Sequence, residues 1–292
     1  MSASYGKNLE IHKIKFVQMN IIFTKMHGLG NDFILIDCRK SEIDNPSVLS
    51  ISLCHRRFGI GADQMLLLHN SKIADFKMRI FNSDGSEVEM CGNGIRCFAK
   101  YIWDRGLSEK NVLAVETAAG IIKPEKSGDM IKVDMGIPIL EGSLIPVRLD
   151  GIIKDFPLKI YGKEFKITCV SMGNPHTVIF VDDVNAFDVD KYGALIERDA
   201  LFPNRTNVEF IEAIDSENIR MRVWERGSGE TMACGTGASA AAVAAHLKGL
   251  SGRRVNVSLN GGNLLIEWNE NDHVYMTGPA VEVYSGEITI NP

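Results

Sequence analysis

The sequence predicts an α+β protein built of two pseudo-symmetric, duplicated domains. Each is a mixed or antiparallel sheet curled around one central helix, and the active site is expected in the cleft between them. Three observations predict this. The motif Cys91-Gly92-Asn93-Gly94 returns as Cys234-Gly235-Thr236-Gly237, 143 positions later. At that same offset Gly30-Asn31 falls on Gly173-Asn174, Met78 to Asn82 on Met221 to Glu225, and Glu87 on Glu230. Beyond the helices the offset becomes 142, which places Gly120 on Gly262 and Met135-Gly136 on Thr277-Gly278. A repeat this long denotes paired domains rather than a solenoid. Each half also sets one long helical pattern among many short apolar runs, as α+β domains do. The halves are expected at residues 1–136, with a return of 280–292, and at 137–279.

Taken in order, residues 1–18 find no counterpart in the second half, and Ile14–Val17 reads either as a short strand or as part of a tail. Ile21–Lys25 and Phe33–Ile36 are apolar, β-branched runs around the turn His27-Gly28-Leu29-Gly30-Asn31-Asp32. A helix is expected over Ser47–Phe58, then strands over Met65–His69 and Lys77–Phe81, the latter delivering Asn82 to the turn Asn82-Ser83-Asp84-Gly85-Ser86. After Cys91 the apolar positions 95, 98, 99, 102 and 103 follow a helical period that stops near Gly106. Val112–Glu116, Ile121–Pro124 and Met130–Met135 are expected to close the first half as strands.

The second half repeats the order. Phe165–Val170 and Thr177–Val181 flank Gly173-Asn174-Pro175-His176, and a helix is expected near Tyr192–Asp199. The strands Asn207–Ile211 and Arg220–Trp224 lead to the loop Glu225–Glu230. The helix after Cys234 runs Ala238–Lys248 and is small and apolar nearly all round, the mark of a buried helix. Strands at 254–259, 264–268 and 273–276 follow, and the tail Val281–Ile290 reads as one more strand pair that returns to the first domain.

Composition narrows the function classes. Apolar content of 45% and charged content of 24% describe an ordinary globular chain. A net charge of −5, with no Lys/Arg-rich run, argues against a nucleic-acid partner. No apolar run approaches the roughly 20 residues that span a bilayer. The N-terminus lacks a signal pattern, so a cytoplasmic location is expected, and the six cysteines are expected as free thiols.

A helix N-terminus leaves backbone N–H groups unpaired and carries roughly half a positive charge. A cysteine there ionises more readily, and the adjacent N–H groups can hold a carboxylate. Cys91 and Cys234 therefore stand out as reactive, whereas Cys38, Cys54, Cys97 and Cys169 read as core packing. No histidine spacing fits a metal site. Gly235–Ala240 formally fits the dinucleotide fingerprint Gly-X-Gly-X-X-Ala, but Val255–Asn260 stands where the acidic residue belongs.

Several motifs together carry a resemblance. They are Met26–Phe33, Asn82–Ser86, Met90–Cys97, Gly173–His176, Arg205–Phe210, Glu225–Thr231 and Ala233–Gly237. From about residue 21 onward the chain resembles diaminopimelate epimerases, pyridoxal-independent enzymes of lysine and cell-wall precursor synthesis. The resemblance implies that Cys91 and Cys234 exchange the α-proton of LL- and meso-diaminopimelate, one as thiolate base and the other as thiol acid. It implies no cofactor, no metal, a small-molecule substrate and a homodimer. It further assigns Asn31, Gln64, Asn82, Asn174 and Asn207 to the substrate's polar groups, and His176 and Glu225 to adjusting the thiols. Gly92, Asn93, Gly235 and Thr236 are the helix starts that would face its α-carboxylate.

Where the halves differ, the substrate's distal end is expected to lie to one side. Asn82 is matched by Glu225, Ser83 by Arg226, Gln64 by Asn207 and Phe33 by His176. Arg226 is expected to take the distal carboxylate in a bidentate grip. A proline or hydroxyproline racemase is the alternative within the class, but that family carries His where Asn93 stands and has no need of Arg226. A thiol–disulfide redox protein is disfavoured because no Cys-X-X-Cys occurs, and a non-catalytic amino-acid-binding protein would leave the two thiols without a task.

Overall fold

Along the computed structural model, which describes residues 19–290, the repeat is carried through in three dimensions. The expectation for Ile14–Val17 lies outside the described residues. Strands β1 (Met19–Gly28) and β2 (Asn31–Asp37) form a hairpin. Its turn residues Leu29 and Gly30 take φ of 57° and 85°, the left-handed region where glycine costs least. Helix α1 (Pro46–Cys54) begins on a proline, whose missing N–H would have been unpaired there anyway. It ends four residues earlier than the sequence predicts, because the chain turns back at Gly59 so tightly that a Cβ there would lie 2.2 Å from the Ser52 carbonyl oxygen.

Next come β3 (Gln64–His69), β4 (Phe76–Asn82) and the short β5 (Glu87–Val88), then α2 (Gly92–Asp104), β6 (Val115–Thr117) and β7 (Gly120–Ile122). The chain continues through β8 (Glu125–Ser127) and β9 (Met130–Asp134). The second half supplies β10 (Phe156–Ile160), β11 (Lys163–Ser171), β12 (Pro175–Phe180) and α3 (Val189–Glu197), capped by the Asp188 carboxylate accepting from the Lys191 N–H. It goes on through β13 (Asn207–Ala213), β14 (Asn218–Glu225), β15 (Gly229–Thr231), α4 (Gly235–Leu247), β16 (Arg254–Leu259), β17 (Gly262–Trp268), β18 (Val274–Gly278) and β19 (Val281–Ile290).

The first sheet runs β19-β1-β2-β3-β4-β6-β7, with β5 on β4; the second runs β10-β11-β12-β13-β14-β16-β17-β18-β9-β8, with β15 on β14. Their shared part has one pattern of directions, parallel at β2–β3 and β12–β13 and again at β4–β6 and β14–β16, antiparallel between. Two expectations change. Met130–Asp134 does not close the first sheet: β9 pairs with β18, Ile131 opposite Gly278 and Asp134 opposite Tyr275, and brings β8 with it into the second sheet. The tail is a single strand rather than a pair, and β19 lies antiparallel along the whole of β1.

Burial explains the runs. In β2, Phe33 and Leu35 face α2 while Ile34 and Ile36 face the layer of α1, so both faces of the strand are apolar. Helix α4 is buried from Ala238 to Ala245, which its small apolar composition allows. One continuous core contains residues of α2 and α4 together with strands of both sheets.

Candidate active site

Cys91 is the N-cap of α2 and Cys234 the N-cap of α4. Both have extended backbone, φ/ψ of −139°/117° and −125°/115°. Each sulfur accepts from the backbone N–H three residues on, Gly94 and Gly237, at 3.4 Å. Both glycines sit in tight places: a Cβ at Gly94 would lie 3.3 Å from the Cys91 Cβ, and one at Gly237 would lie 2.8 Å from Glu209 Oε1. Cys91 is half-buried and Cys234 buried.

Asn93 ties the two helix starts together. Its Nδ2 donates to Asn31 Oδ1 and to the Ala233 carbonyl, the residue before Cys234, both at 3.2 Å. Its Oδ1 accepts from Arg96 Nη2 at 3.0 Å. The side chain is thus spent within the protein, and its backbone N–H is the group that reaches toward the Cys91 sulfur.

The cysteines open on a cleft of about 2140 Å³ between the halves. Asn31, Gln64, Asn82, Gly92 and Asn93 line it from one side, and Asn174, Glu225, Arg226, Gly235 and Thr236 from the other. His176 and Asn207 are among the expected site residues but stand behind the wall. Asn31 donates to Asp63 at 2.9 Å, which leaves its oxygen toward the Cys91 sulfur at 3.7 Å. Gln64 donates to Asn82 at 2.8 Å, and its own buried oxygen has no partner among the described residues. Asn207 accepts from the Arg226 backbone N–H and donates to the Pro175 carbonyl, both at 2.9 Å, so its side chain holds the loop carrying Arg226. The Arg226 guanidinium is exposed and touches the Asn204 carbonyl at 3.2 Å; among the described residues no carboxylate pairs with it.

The thiols are less ionised than their helix positions alone predict. Burial pushes Cys91 up, against the N–H groups of Gly94 and Asn93; the Glu225 charge adds to the rise and Arg96 opposes it. Burial pushes Cys234 well up, and the carboxylates of Glu225 and Glu209 reinforce it. Burial also raises Glu225 itself, against hydrogen bonds from Thr231 and the Cys234 thiol. The other four thiols lie at about 12, again through burial, and are inert.

Two N-capping thiols from opposite halves face one cleft. A family model described as diaminopimelate epimerase matches residues 23–141 and 168–283. The chain belongs to the diaminopimelate epimerase family. A diaminopimelate epimerase of Acetivibrio thermocellus is 55% identical over 276 residues, covering 92% of this chain and 99% of that protein. One from Methanococcus maripaludis is 50% identical over 277 residues, with 92% and 99% covered. The fold recurs in a hydroxyproline epimerase of Agrobacterium vitis, solved with bound trans-4-hydroxy-L-proline, at a TM-score of 0.66 and 15% identity over 94% of this chain and 93% of that one. It recurs also in a Bacillus anthracis PhzF-family phenazine biosynthesis protein, at a TM-score of 0.69 and 19% identity over 93% of this chain and all of that one.

Within this epimerase-family fold, two buried groups escaped the sequence reading. Glu209, 0% exposed, pairs with His176 Nδ1 at 2.7 Å and leaves its Oε2 without a partner among the described residues. His176 Nε2 donates to Asn174 Oδ1 at 3.0 Å, so the carboxylate, imidazole and amide form a chain running to the cleft wall. The signal for Glu209 was available: its counterpart 143 positions earlier is Leu66, in an otherwise matching apolar strand. The second group is Arg96, whose counterpart is Ser239.

Proposed function

We propose that this chain is a diaminopimelate epimerase, interconverting LL- and meso-2,6-diaminopimelate by two-base proton transfer at the α-carbon. The observation that carries the reading is the pair of thiols capping α2 and α4 on the same cleft. One thiolate takes the α-proton and becomes a thiol; the opposite thiol gives its proton to the other face of the carbon and becomes the thiolate. The reverse reaction exchanges the roles. The charge developing on the α-carboxylate meets the helix-start N–H groups of Gly92, Asn93, Gly235 and Thr236, preorganised on both sides of the cleft. Asn31, Gln64, Asn82 and Asn174 orient the reacting amino acid. Arg226, whose guanidinium meets only the Asn204 carbonyl among the described residues, reaches the distal carboxylate from the loop that Asn207 holds. His176 and Glu225 adjust the thiols from the Cys234 side.

The functional division follows the repeat, residues 1–136 with 280–292 against 137–279, because each part then supplies one cysteine. No helix among the described residues is long and apolar enough to cross a membrane. A homodimer in the cytoplasm, in lysine and cell-wall precursor synthesis, completes the reading, and the family resemblance supports it.

The test is reduced enzyme with LL-diaminopimelate in D₂O, with no added cofactor, followed by proton NMR. Loss of the α-proton signal with appearance of the meso isomer is expected, and Cys91→Ala or Cys234→Ala should abolish it. Exchange on proline in place of diaminopimelate would move the assignment to the racemases, and exchange on neither would overturn it.

A further inference from the structure

Arg96 is 0% exposed, yet among the described residues no carboxylate lies within ion-pair distance of it. Its guanidinium donates to the carbonyls of Pro279 at 3.2 Å and Gly92 at 3.1 Å, and to Asn93 Oδ1 at 3.0 Å; Met276 Sδ lies at 3.5 Å. A buried cation with no counter-ion carries a large desolvation penalty that neutral hydrogen bonds offset only in part. The site is nonetheless shaped for it. A Cβ at Gly28 would lie 3.1 Å from Nη2, so this glycine clears the space the guanidinium fills.

Hydrogen bonding alone does not call for the charge. At the same turn of α4, Ser239 Oγ donates to the Gly235 carbonyl at 3.0 Å, doing with a neutral hydroxyl what Arg96 does for Gly92. The ionisable groups that feel Arg96 are the thiols of its own helix, Cys91 and Cys97. The ends of β1 and β18 packed against it bring Gly28, Met276, Gly278 and Pro279, none of which titrates. From across the cleft Glu225 acts on Cys91, with the opposite sign. Cys97 is held at about 12 and stays a thiol, which leaves Cys91 as the group the charge serves.

We propose that Arg96 is a positioning residue: the fixed positive charge beneath the first turn of α2 that helps make Cys91, rather than Cys234, the more readily ionised thiol of the unliganded pair. The proposal rests on the reading of these cysteines as acid and base. It predicts an asymmetry of the unliganded enzyme that is measured without substrate. The pH dependence of iodoacetamide alkylation is followed for each cysteine separately by mass spectrometry of its peptide, in wild type and in R96M, R96Q and R96K.

In R96M and R96Q the alkylation of Cys91 at neutral pH should fall about tenfold, the equivalent of roughly one pKa unit. The Cys234 profile should stay where it is, and R96K, which keeps the charge and loses the fork, should follow wild type. A folded R96M with an unchanged Cys91 profile would overturn the proposal, as would equal shifts at both cysteines. So would neutral variants that fail to fold beside a folded R96K, since the charge would then be holding the chain together. Because the readout needs no turnover, failure of diaminopimelate epimerisation would leave this result standing on its own.

Discussion

Cys91 and Cys234 occupy one position of one repeated turn, and what separates them is the charge around them. On the Cys234 side stand Glu225 and Glu209, where the first half has Asn82 and Leu66; on the Cys91 side stands Arg96, where the second half has Ser239. These exchanges were legible as mismatches of the repeat. That Glu209 and Arg96 are buried was not, since a charged residue in an apolar run reads equally as a solvated one. The sign of the pH dependence follows. Cys91 is raised above the ordinary thiol value, so kcat/KM should climb from neutral into alkaline pH as it ionises. Activity should fall only at higher pH, where Cys234, raised further, loses the proton it must donate. In Glu225→Gln the negative charge leaves both thiols, Cys234 above all, whose S–H then faces a neutral amide in place of a carboxylate. Both limbs of the profile should move to lower pH, the descending one further, so the bell narrows. A descending limb unmoved in Glu225→Gln would remove Glu225 from control of Cys234.

Helix α3 acts on the site through contacts that only packing reveals. Glu197, at its C-terminal end, accepts from Trp224 Nε1 at 2.8 Å and from the Gly227 N–H at 3.0 Å, pinning both sides of Glu225 and Arg226. Gly193, one turn earlier, lies against Trp224: a Cβ there would sit 2.5 Å from the Trp224 Cβ. Gly193→Ala should therefore force α3 and β14 apart and cost about 1–3 kcal/mol. Gly252→Ala, whose nearest neighbour would be at 3.9 Å, is the matched control with a near-native melting temperature. Equal melting temperatures for the two would show that α3 yields freely. The sequence placed this helix three residues late, because the Asp188 cap and the apolar Val189 precede the stretch where its period is visible. Likewise the alternation in Met130–Asp134 marked a strand without naming its neighbour. Pairing with β18 is a non-local fact, and no pattern within the strand records it.

At the scale of the molecule, the duplication was legible because glycines and cysteines that need special geometry recur at fixed spacing, whereas the stitching of the halves was not. The first half lends β8 and β9 to the second sheet, and the second half returns β19 to the first, from Met19 opposite Ile290 to His27 opposite Val281. The core follows the same logic. Phe33, Leu66 and Phe98 of one half share a continuous apolar cluster with Ala241, Val257 and Met276 of the other. A chain of 292 residues in two halves would ordinarily be expected to unfold in two steps. Here neither half keeps its sheet or its core when the other melts: loss of the second half strips β19 from β1, and loss of the first strips β9 from β18. Scanning calorimetry should accordingly show a single transition whose calorimetric and van't Hoff enthalpies agree. Cys91 and Cys234 alkylation under rising denaturant should report the same midpoint. Two resolved transitions, or separate midpoints for the two cysteines, would mean that each half holds its core alone, and the relative motion of the helix starts would then be set by a hinge rather than by a shared interior.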